Sequence, residues 1–271
     1  MTVVTLLHPG AMGAAVGRQA VQAGATVRWV AAGRGAATRK RAVEAGLQEH
    51  AELATALDGA EVVLSICPPE FAEEVARATG GYTGTYVEAN AIAPARMKHI
   101  AALLPEAQVV DGGIIGDPPF RRGTTRLYLS GDAGFVAELF DGSALEVITL
   151  PGGVGQASAM KMAYASYQKA SRVLAALAHA LADRHGVGEY LRHEADLLHS
   201  RPLADVEEFP RVAAKAWRWM PEMHEVSDAL RAAGLPGELA IGAASALQRW
   251  ASAKGRDDLG VVDVLAMLAQ R

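Results

Sequence analysis

The run His8-Pro9-Gly10-Ala11-Met12-Gly13 has residue types and a spacing that imply anion chemistry. It follows the pattern G-x-G-x-x-G with His8 at the first glycine. It joins a β-branched stretch, Val3–Leu7, to an Ala-rich stretch of helical period, Ala14–Ala23. In such a turn the middle glycine lets the backbone approach a pyrophosphate, and the last lets the helix pack against the strand. The helix N-terminus adds free N–H groups and the positive end of its dipole. Gly10, Ala11, Met12 and Gly13 are therefore candidate dinucleotide ligands. His8 departs from the pattern at the position that supports the tight turn.

A second group stands where the next strand, Thr26–Ala31, ends. NAD sites place a carboxylate there to bond the ribose 2′-hydroxyl. This sequence reads Ala31-Ala32-Gly33-Arg34, followed by Thr38, Arg39, Lys40 and Arg41. A guanidinium suits a 2′-phosphate through its charge and forked donors, so Arg34 points to NADP. The later bases also fit a solvated helix face. Two further strand ends, Ser65-Ile66-Cys67-Pro68-Pro69 and Glu88-Ala89-Asn90-Ala91, face the same edge, because ligands of open α/β sheets sit outside the carboxyl ends of the strands. Cys67, Pro68, Pro69 and Asn90 join the cofactor candidates on that ground. Cys67 has no base beside it in sequence and reads as a small buried hydrophobe.

The elements that must position these residues alternate in the first half. Strand-like runs at Val3–Leu7, Thr26–Ala31, Glu61–Cys67, Thr85–Glu88, Gln108–Asp111, Arg126–Leu129 and Leu145–Leu150 are interleaved, in their earlier part, with helical stretches such as Phe71–Thr79 and Pro94–Leu104. That alternation predicts an α/β fold, a Rossmann-type doubly wound, mostly parallel sheet over residues 1–152. Beyond Pro151–Gly155 strand signals are scarce. Helices are expected at Gln156–Arg184, Val206–Lys215, Met220–Ala233, Gly237–Ala253 and Gly260–Gln270, which makes residues 153–271 an all-helical substrate and dimerisation domain.

Composition narrows the classes. With 51% hydrophobic and 21% charged residues the chain can bury a core. Its net charge of -4 argues against nucleic acid as the main partner. The single cysteine allows no internal disulfide, which fits a reducing compartment, and the cytoplasm is the expected location. The N-terminus does not read as a secretory signal, and no apolar run is long enough to predict a membrane span. His193, Glu194, Asp196 and His199 lack the H-E-x-x-H spacing and read as a polar helix or turn, so no metal is expected. Trp217, Trp219, Met220, Met223 and His224 fit core or subunit contacts, or a pocket wall.

Beyond these local readings, the sequence resembles the β-hydroxyacid dehydrogenase superfamily, which includes 3-hydroxyisobutyrate and 6-phosphogluconate dehydrogenases and is related to imine reductases. The resemblance runs through Gly10–Gly13, Gly33-Arg34, Pro68-Pro69, Asn90 to Pro94, Asp111-Gly112-Gly113 and Gly152-Gly153-Val154-Gly155 leading to Lys161. The runs Glu88–Ala91, Asp111–Pro119 and Ala157–Tyr164 are most similar to a 6-phosphogluconate dehydrogenase-like subgroup with a distinctive C-terminal domain. The resemblance implies that Lys161, near the start of the interdomain helix, is the general acid or base. An ammonium there can donate a proton to, or stabilise, the oxygen that gains charge on hydride addition to a carbonyl. On residue type alone, Lys161 also fits the surface of an amphipathic helix.

The departures bear on the substrate. Many members carry asparagine one turn after the lysine. Here Tyr164 shares the face of Lys161 at i+3, as a second proton donor or as a packing aromatic. Where members have a carboxylate-binding serine and glycines, this chain has Ile114, Ile115 and Gly116. Together with Ser158 these are the substrate candidates, and they argue against a phosphorylated sugar acid. The expectation is an NADP-dependent reductase or dehydrogenase for a small carbonyl or alcohol, hydroxyacid-like. The alternatives are an imine reductase, kept open by Tyr164, and a catalytically idle NADP sensor, suggested by His8 and the missing asparagine. The long helix and its Ala-rich successors present more apolar surface than one sheet domain covers, and the resemblance implies paired helical domains. A homodimer is expected.

Overall fold

The structure, a computed structural model, describes residues 1–199 and 201–269. From the N-terminus the chain alternates as the sequence predicts. β1 (Val3–Leu6), α1 (Ala11–Gln22), β2 (Thr26–Val30), α2 (Ala36–Glu44), β3 (Gln48–His50) and α3 (Leu53–Leu57) come first. β4 (Val62–Ser65), α4 (Ala72–Ala78), β5 (Thr85–Glu88) and α5 (Pro94–Leu103) continue the winding. β6 (Gln108–Gly116), β7 (Thr125–Ser130), α6 (Gly134–Glu138) and β8 (Glu146–Thr149) close it.

The eight strands form one sheet in the order β3-β2-β1-β4-β5-β6-β7-β8. Neighbours are parallel except for β6 and β7, which pair antiparallel from Asp111↔Ser130 to Gly116↔Thr125. The order turns back at β1, between β2 and β4, which is where a doubly wound sheet opens its ligand crevice. Both faces are buried. Val62 and Leu64 pack into one apolar cluster while Val63, between them, packs into another, as the two-residue period of a strand requires.

Two strands differ from the sequence expectation, for opposite reasons. β3 has no apolar signal, since Gln48-Glu49-His50 is a half-exposed edge strand recruited by pairing with β2. β6 runs past Asp111 to Gly116 because Gly112–Ile115 find backbone partners on β7.

Contacts divide the chain into two units, Met1–Ala165 and Ser166–Arg271, and α7 (Gln156–Arg184) runs from one into the other. The boundary expected after Gly152 marks the approach to α7, whereas the first unit extends to Ala165. The second unit contains α8 (Gly188–Asp196), α9 (Phe209–Ala232), α10 (Glu238–Gln248) and α11 (Val261–Ala269). Its small core sets Ala213, Ala253 and Val264 against Phe209, Trp250, Leu259 and Met267. The Trp250 indole N–H donates to the Val264 carbonyl at 2.7 Å.

α9 replaces two expected helices. Residues 216–219 contain no breaker, and Pro221 lies inside the helix, where it removes one backbone donor but leaves the helix continuous. Helical turn continues after α10 only as a short 3-10 segment, Ala251–Ala253. Gln270, the expected end of the last helix, lies outside the described residues. Among the described residues no helix is long and apolar enough to cross a membrane.

Candidate active site

β1 delivers the chain to the glycine turn, and the geometry explains its glycines. A Cβ at Gly13 would collide with the carbonyl oxygen of His8, a backbone atom that cannot swing aside. A Cβ at Gly10 would meet no protein atom within 4 Å, so glycine here keeps free space at the turn. Gly10 is also the N-cap of α1 and offers no side-chain cap. The first N–H groups of α1 therefore have no intrahelical acceptor and no local side-chain one.

A cavity of about 340 Å³ opens at this point. The expected residues Gly10, Ala11, Met12, Gly13, Arg34, Cys67 and Pro68 all line it, joined by His8, Pro9, Thr38 and Ile66. Gly33 takes φ +69°, and the Arg34 N–H donates to the Ala31 carbonyl at 3.1 Å, so a tight turn brings the guanidinium to the cavity. The basic run then divides by role. Arg39 pairs with Glu49 at 2.6 Å, and Lys40 with Glu44 at 3.8 Å. Arg41 donates through Nε to the Pro9 carbonyl and so braces the glycine turn from behind. Arg34 alone of this group lines the cavity, and its buried Nε has no partner among the described residues.

The buried Nδ1 of His8 is likewise without a partner among the described residues. Burial, then the nearby Arg34 charge, lowers the imidazole to about 4, which leaves His8 neutral near pH 7. The orphaned Arg34 donor, an uncapped helix N-terminus and a glycine that keeps the turn open together fit a dinucleotide phosphate.

Pro69 and Asn90 do not line the cavity. Pro69 starts the turn into α4. Asn90 is buried behind the wall, where its Oδ1 accepts the Cys67 N–H at 2.5 Å and its Nδ2 donates to Ser65 Oγ at 3.1 Å. It acts on the cavity by fixing the Cys67-Pro68 turn. Burial and the Glu88 charge push the Cys67 thiol up to about 11, so it stays protonated and is no nucleophile at neutral pH.

Glu88 is a feature that sequence reasoning missed. Its fully buried carboxyl accepts the Asn90 N–H at 3.1 Å, and burial raises it to about 7. The available signal was an acid closing an otherwise apolar strand.

Lys161 and Tyr164 lie one turn apart on α7, both partly buried, and neither lines the glycine-turn cavity. The Lys161 ammonium donates to the Ile114 carbonyl at 2.5 Å. Ile114 and Ile115, expected at the edge of a substrate pocket, are only 7% and 2% exposed. The cause is the extra length of β6, which pairs them with Leu127 and Arg126 of β7, with Ile114 packed into the sheet core. It is the Ile114 backbone oxygen, not the side chain, that meets Lys161. Gly116 ends the strand at φ +119°. Ser158 is buried and faces inward, its hydroxyl donating to Asp111 at 2.6 Å.

His193, Glu194, Asp196 and His199 are not gathered around a centre. Among the described residues no three acidic, histidine or cysteine side chains come together as metal ligands. The exposed Trp217 carries the Lys254 ammonium 3.8 Å from its ring centre, a cation–π contact within the helical unit.

Fold and site thus define a dinucleotide-type doubly wound unit followed by helices, with a lysine of α7 held against the Ile114 carbonyl of β6. Known structures share this architecture. A conserved protein of unknown function, described as structurally similar to 3-hydroxyacid dehydrogenases, matches 92% of this chain and 98% of its own at 22% identity and TM-score 0.60. A reductive aminase from Aspergillus terreus, solved with NADPH and ethyl levulinate, matches 98% and 99% at 20% identity and TM-score 0.76. An imine reductase from Bacillus cereus matches both chains in full at 16% identity and TM-score 0.70. The chain therefore has the fold shared by 3-hydroxyacid dehydrogenase-like proteins and imine reductases. Residues 182–250 match the domain of unknown function DUF1932. No curated protein matches the sequence.

Proposed function

We propose that this chain is an NADP-dependent oxidoreductase that moves a hydride between the nicotinamide and the carbonyl or alcohol carbon of a small, hydroxyacid-like molecule. The observation that carries the reading is the cavity at the glycine turn, where Arg34, whose buried Nε has no partner among the described residues, stands in place of the carboxylate that would select NAD. The α1 N-terminus and the Gly10–Gly13 backbone would take the pyrophosphate, and Arg34 the 2′-phosphate. Bound NADPH supplies the hydride. The chain's own share of the chemistry is the proton. Lys161 is held by the Ile114 carbonyl, from which the ammonium can turn to an oxygen that is gaining charge. The backbone of Ile114–Gly116 offers further polar groups to the substrate.

Imine reduction is the second reading, supported by the fold shared with the imine reductase and the reductive aminase. Tyr164 is then the alternative proton donor. In either reading we place the protein in the cytoplasm as a homodimer. Leu174, Leu177, Leu181, Val187, Tyr190 and Leu230 line an apolar groove of about 600 Å³ in the helical unit, and a second copy is the occupant we assign to it.

The test is turnover of NADPH against a panel of ketones, 2- and 3-oxoacids and cyclic imines, with Lys161→Ala and Tyr164→Phe beside the wild type. Loss of a positioned acid lowers kcat by ~10²–10⁴-fold. The loss should fall on Lys161→Ala, on kcat and kcat/KM together, with NADPH affinity little changed. A folded Lys161→Ala protein with near-normal turnover rejects the lysine mechanism. If the large loss falls on Tyr164→Phe, the tyrosine is the acid, and the substrate panel decides between carbonyl and imine reduction.

A further inference from the structure

The first turn of α7 is capped from the sheet rather than by its own sequence. The N–H groups of Gly155 and Ser158 donate to Oδ2 of Asp111, each at 2.9 Å, and the Ser158 hydroxyl donates to Oδ1 at 2.6 Å. Ser130, paired with Asp111 across the β6–β7 ladder, donates to Oδ2 at 3.2 Å and accepts the Ala157 N–H at 3.0 Å. All three polar side chains in this cluster are buried. Gly113, on the same face of β6 two residues along, allows the approach. A Cβ there would come within 2.8 Å of the Ala157 carbonyl oxygen and 3.2 Å of Lys161 Cβ. One residue further, the Ile114 carbonyl receives the Lys161 ammonium.

A cap from a neighbouring residue stabilises a helix but leaves its axis free to settle against the sheet. A cap delivered by a buried carboxylate on an interior strand also fixes the axial height and direction of the helix. Lys161 lies on the second turn, so its amine inherits that placement. Misplacing a reacting group by about 1 Å can cost on the order of 10²-fold in rate.

From this geometry we infer that Asp111 is a positioning residue for the reaction, acting through α7 on Lys161, with Ser130 and Ser158 as its supports. The inference rests on the reading of Lys161 as the proton donor. It accounts for a charged side chain in the buried middle of the sheet, whose desolvation would otherwise be an uncompensated cost. It also accounts for the inward orientation of Ser158.

The test needs no substrate for its main readout. Acetic anhydride acetylates amines according to their basicity and access, and mass spectrometry reads each lysine separately. Lys40, Lys98, Lys169, Lys215 and Lys254 serve as internal controls. In Asp111→Asn, one carboxylate oxygen is replaced by a donor that faces other donors, and the negative charge is lost. The Lys161 labelling rate should change at least ~3-fold across pH 6–10, the controls should hold, and the NADPH dissociation constant should stay within ~2-fold. Turnover on the best panel substrate should fall ~10–100-fold, mostly in kcat.

Ser158→Ala keeps the carboxylate and two of its backbone bonds. It should move Lys161 labelling in the same direction by less, and it carries the test if Asp111→Asn does not fold. A lower melting temperature with an unchanged Lys161 profile shows that the cap is structural only and overturns the inference, as does an equal change at every lysine. If Lys161→Ala retains turnover, the proton-donor reading itself fails, and the role of Asp111 in the reaction fails with it. If Lys161→Ala abolishes turnover while Asp111→Asn leaves Lys161 labelling and kcat intact, this inference alone is wrong.

Discussion

The two units of the chain bury their apolar residues very differently. In the first, every strand but β3 and β8 places at least two residues fully in the interior, and the largest buried side chains, Trp29, Tyr86 and Phe140 among them, belong to it. In the second, the interior is chiefly alanine, with Val264 and Leu230 as its larger buried members. Val173, Leu174 and Tyr190 stand 52%, 47% and 75% exposed, and Leu197, Leu198 and Leu203 are also open. A doubly wound sheet can complete its own core, because helices cover both faces. The helices of the second unit leave large apolar side chains open to solvent. What distinguishes the units is therefore how far each buries its large apolar side chains among the described residues.

The largest effect expected from breaking this contrast concerns association. Leu174→Glu combined with Leu181→Glu places two carboxylates in the apolar groove, where desolvation opposes any partner. Light scattering at micromolar concentration should show the wild type as a dimer and the double variant as a monomer, with the sheet unit still able to bind NADPH. A monomeric wild type would remove the second copy from the explanation and leave the open helical surface to some other ligand.

The next effect lies in the sheet unit and concerns selection between cofactors. Arg34→Ala should weaken NADPH by ~10–100-fold, the worth of hydrogen bonds to a charged group, and leave NADH nearly unchanged. Fluorescence titration of both nucleotides gives the ratio directly. Equal losses for the two would assign Arg34 to the shared part of the dinucleotide. A wild type that prefers NADH would reject the 2′-phosphate role altogether.

The same contrast explains what could be read from the sequence. The glycine turn, the Arg34 turn and the 29-residue span of α7 were legible because each depends on local chemistry: φ, period or a helix end. The full length of β6 was not, since Gly112–Ile115 become strand only by pairing with β7. Hence Ile114 and Ile115 read as pocket edge from sequence and stand in the core. Asp111, Ser130 and Ser158 are far apart in the chain and acquire a shared role only when α7 meets the sheet. Asn90 was legible as a strand-end residue, but its support of Cys67 was not. In α9, the expected gap between Lys215 and Met220 is helix, because the residues there contain no breaker and one helix runs from Phe209 to Ala232.

The smallest effect belongs to Glu88 and tests whether the interior of the sheet unit is as closed as its packing implies. Burial raises this carboxyl from 4.5 to about 7. Between those two values the folded chain holds a proton that the unfolded chain has released, so stability declines as pH rises from about 4.5 to about 7 and is level above. The full contribution is on the order of 3 kcal/mol, equivalent to several degrees in Tm. His8 has the opposite sign, since its lowered value makes stability rise from about pH 4 to 6.5. The raw profile of the wild type therefore mixes two slopes, and the informative quantity is the difference from Glu88→Gln, in which His8 cancels. The glutamine oxygen can still accept the Asn90 N–H, as the protonated carboxyl does. The two proteins should match in thermal stability near pH 5, and the variant should become the more stable of the two by pH 8. The gain should appear in the transition that NADPH shifts upward, which marks the sheet unit, and not in that of the helical unit. Parallel profiles from pH 5 to pH 8 would mean that water reaches Glu88 and that the interior of the sheet unit is less sealed at the end of β5 than its packing implies.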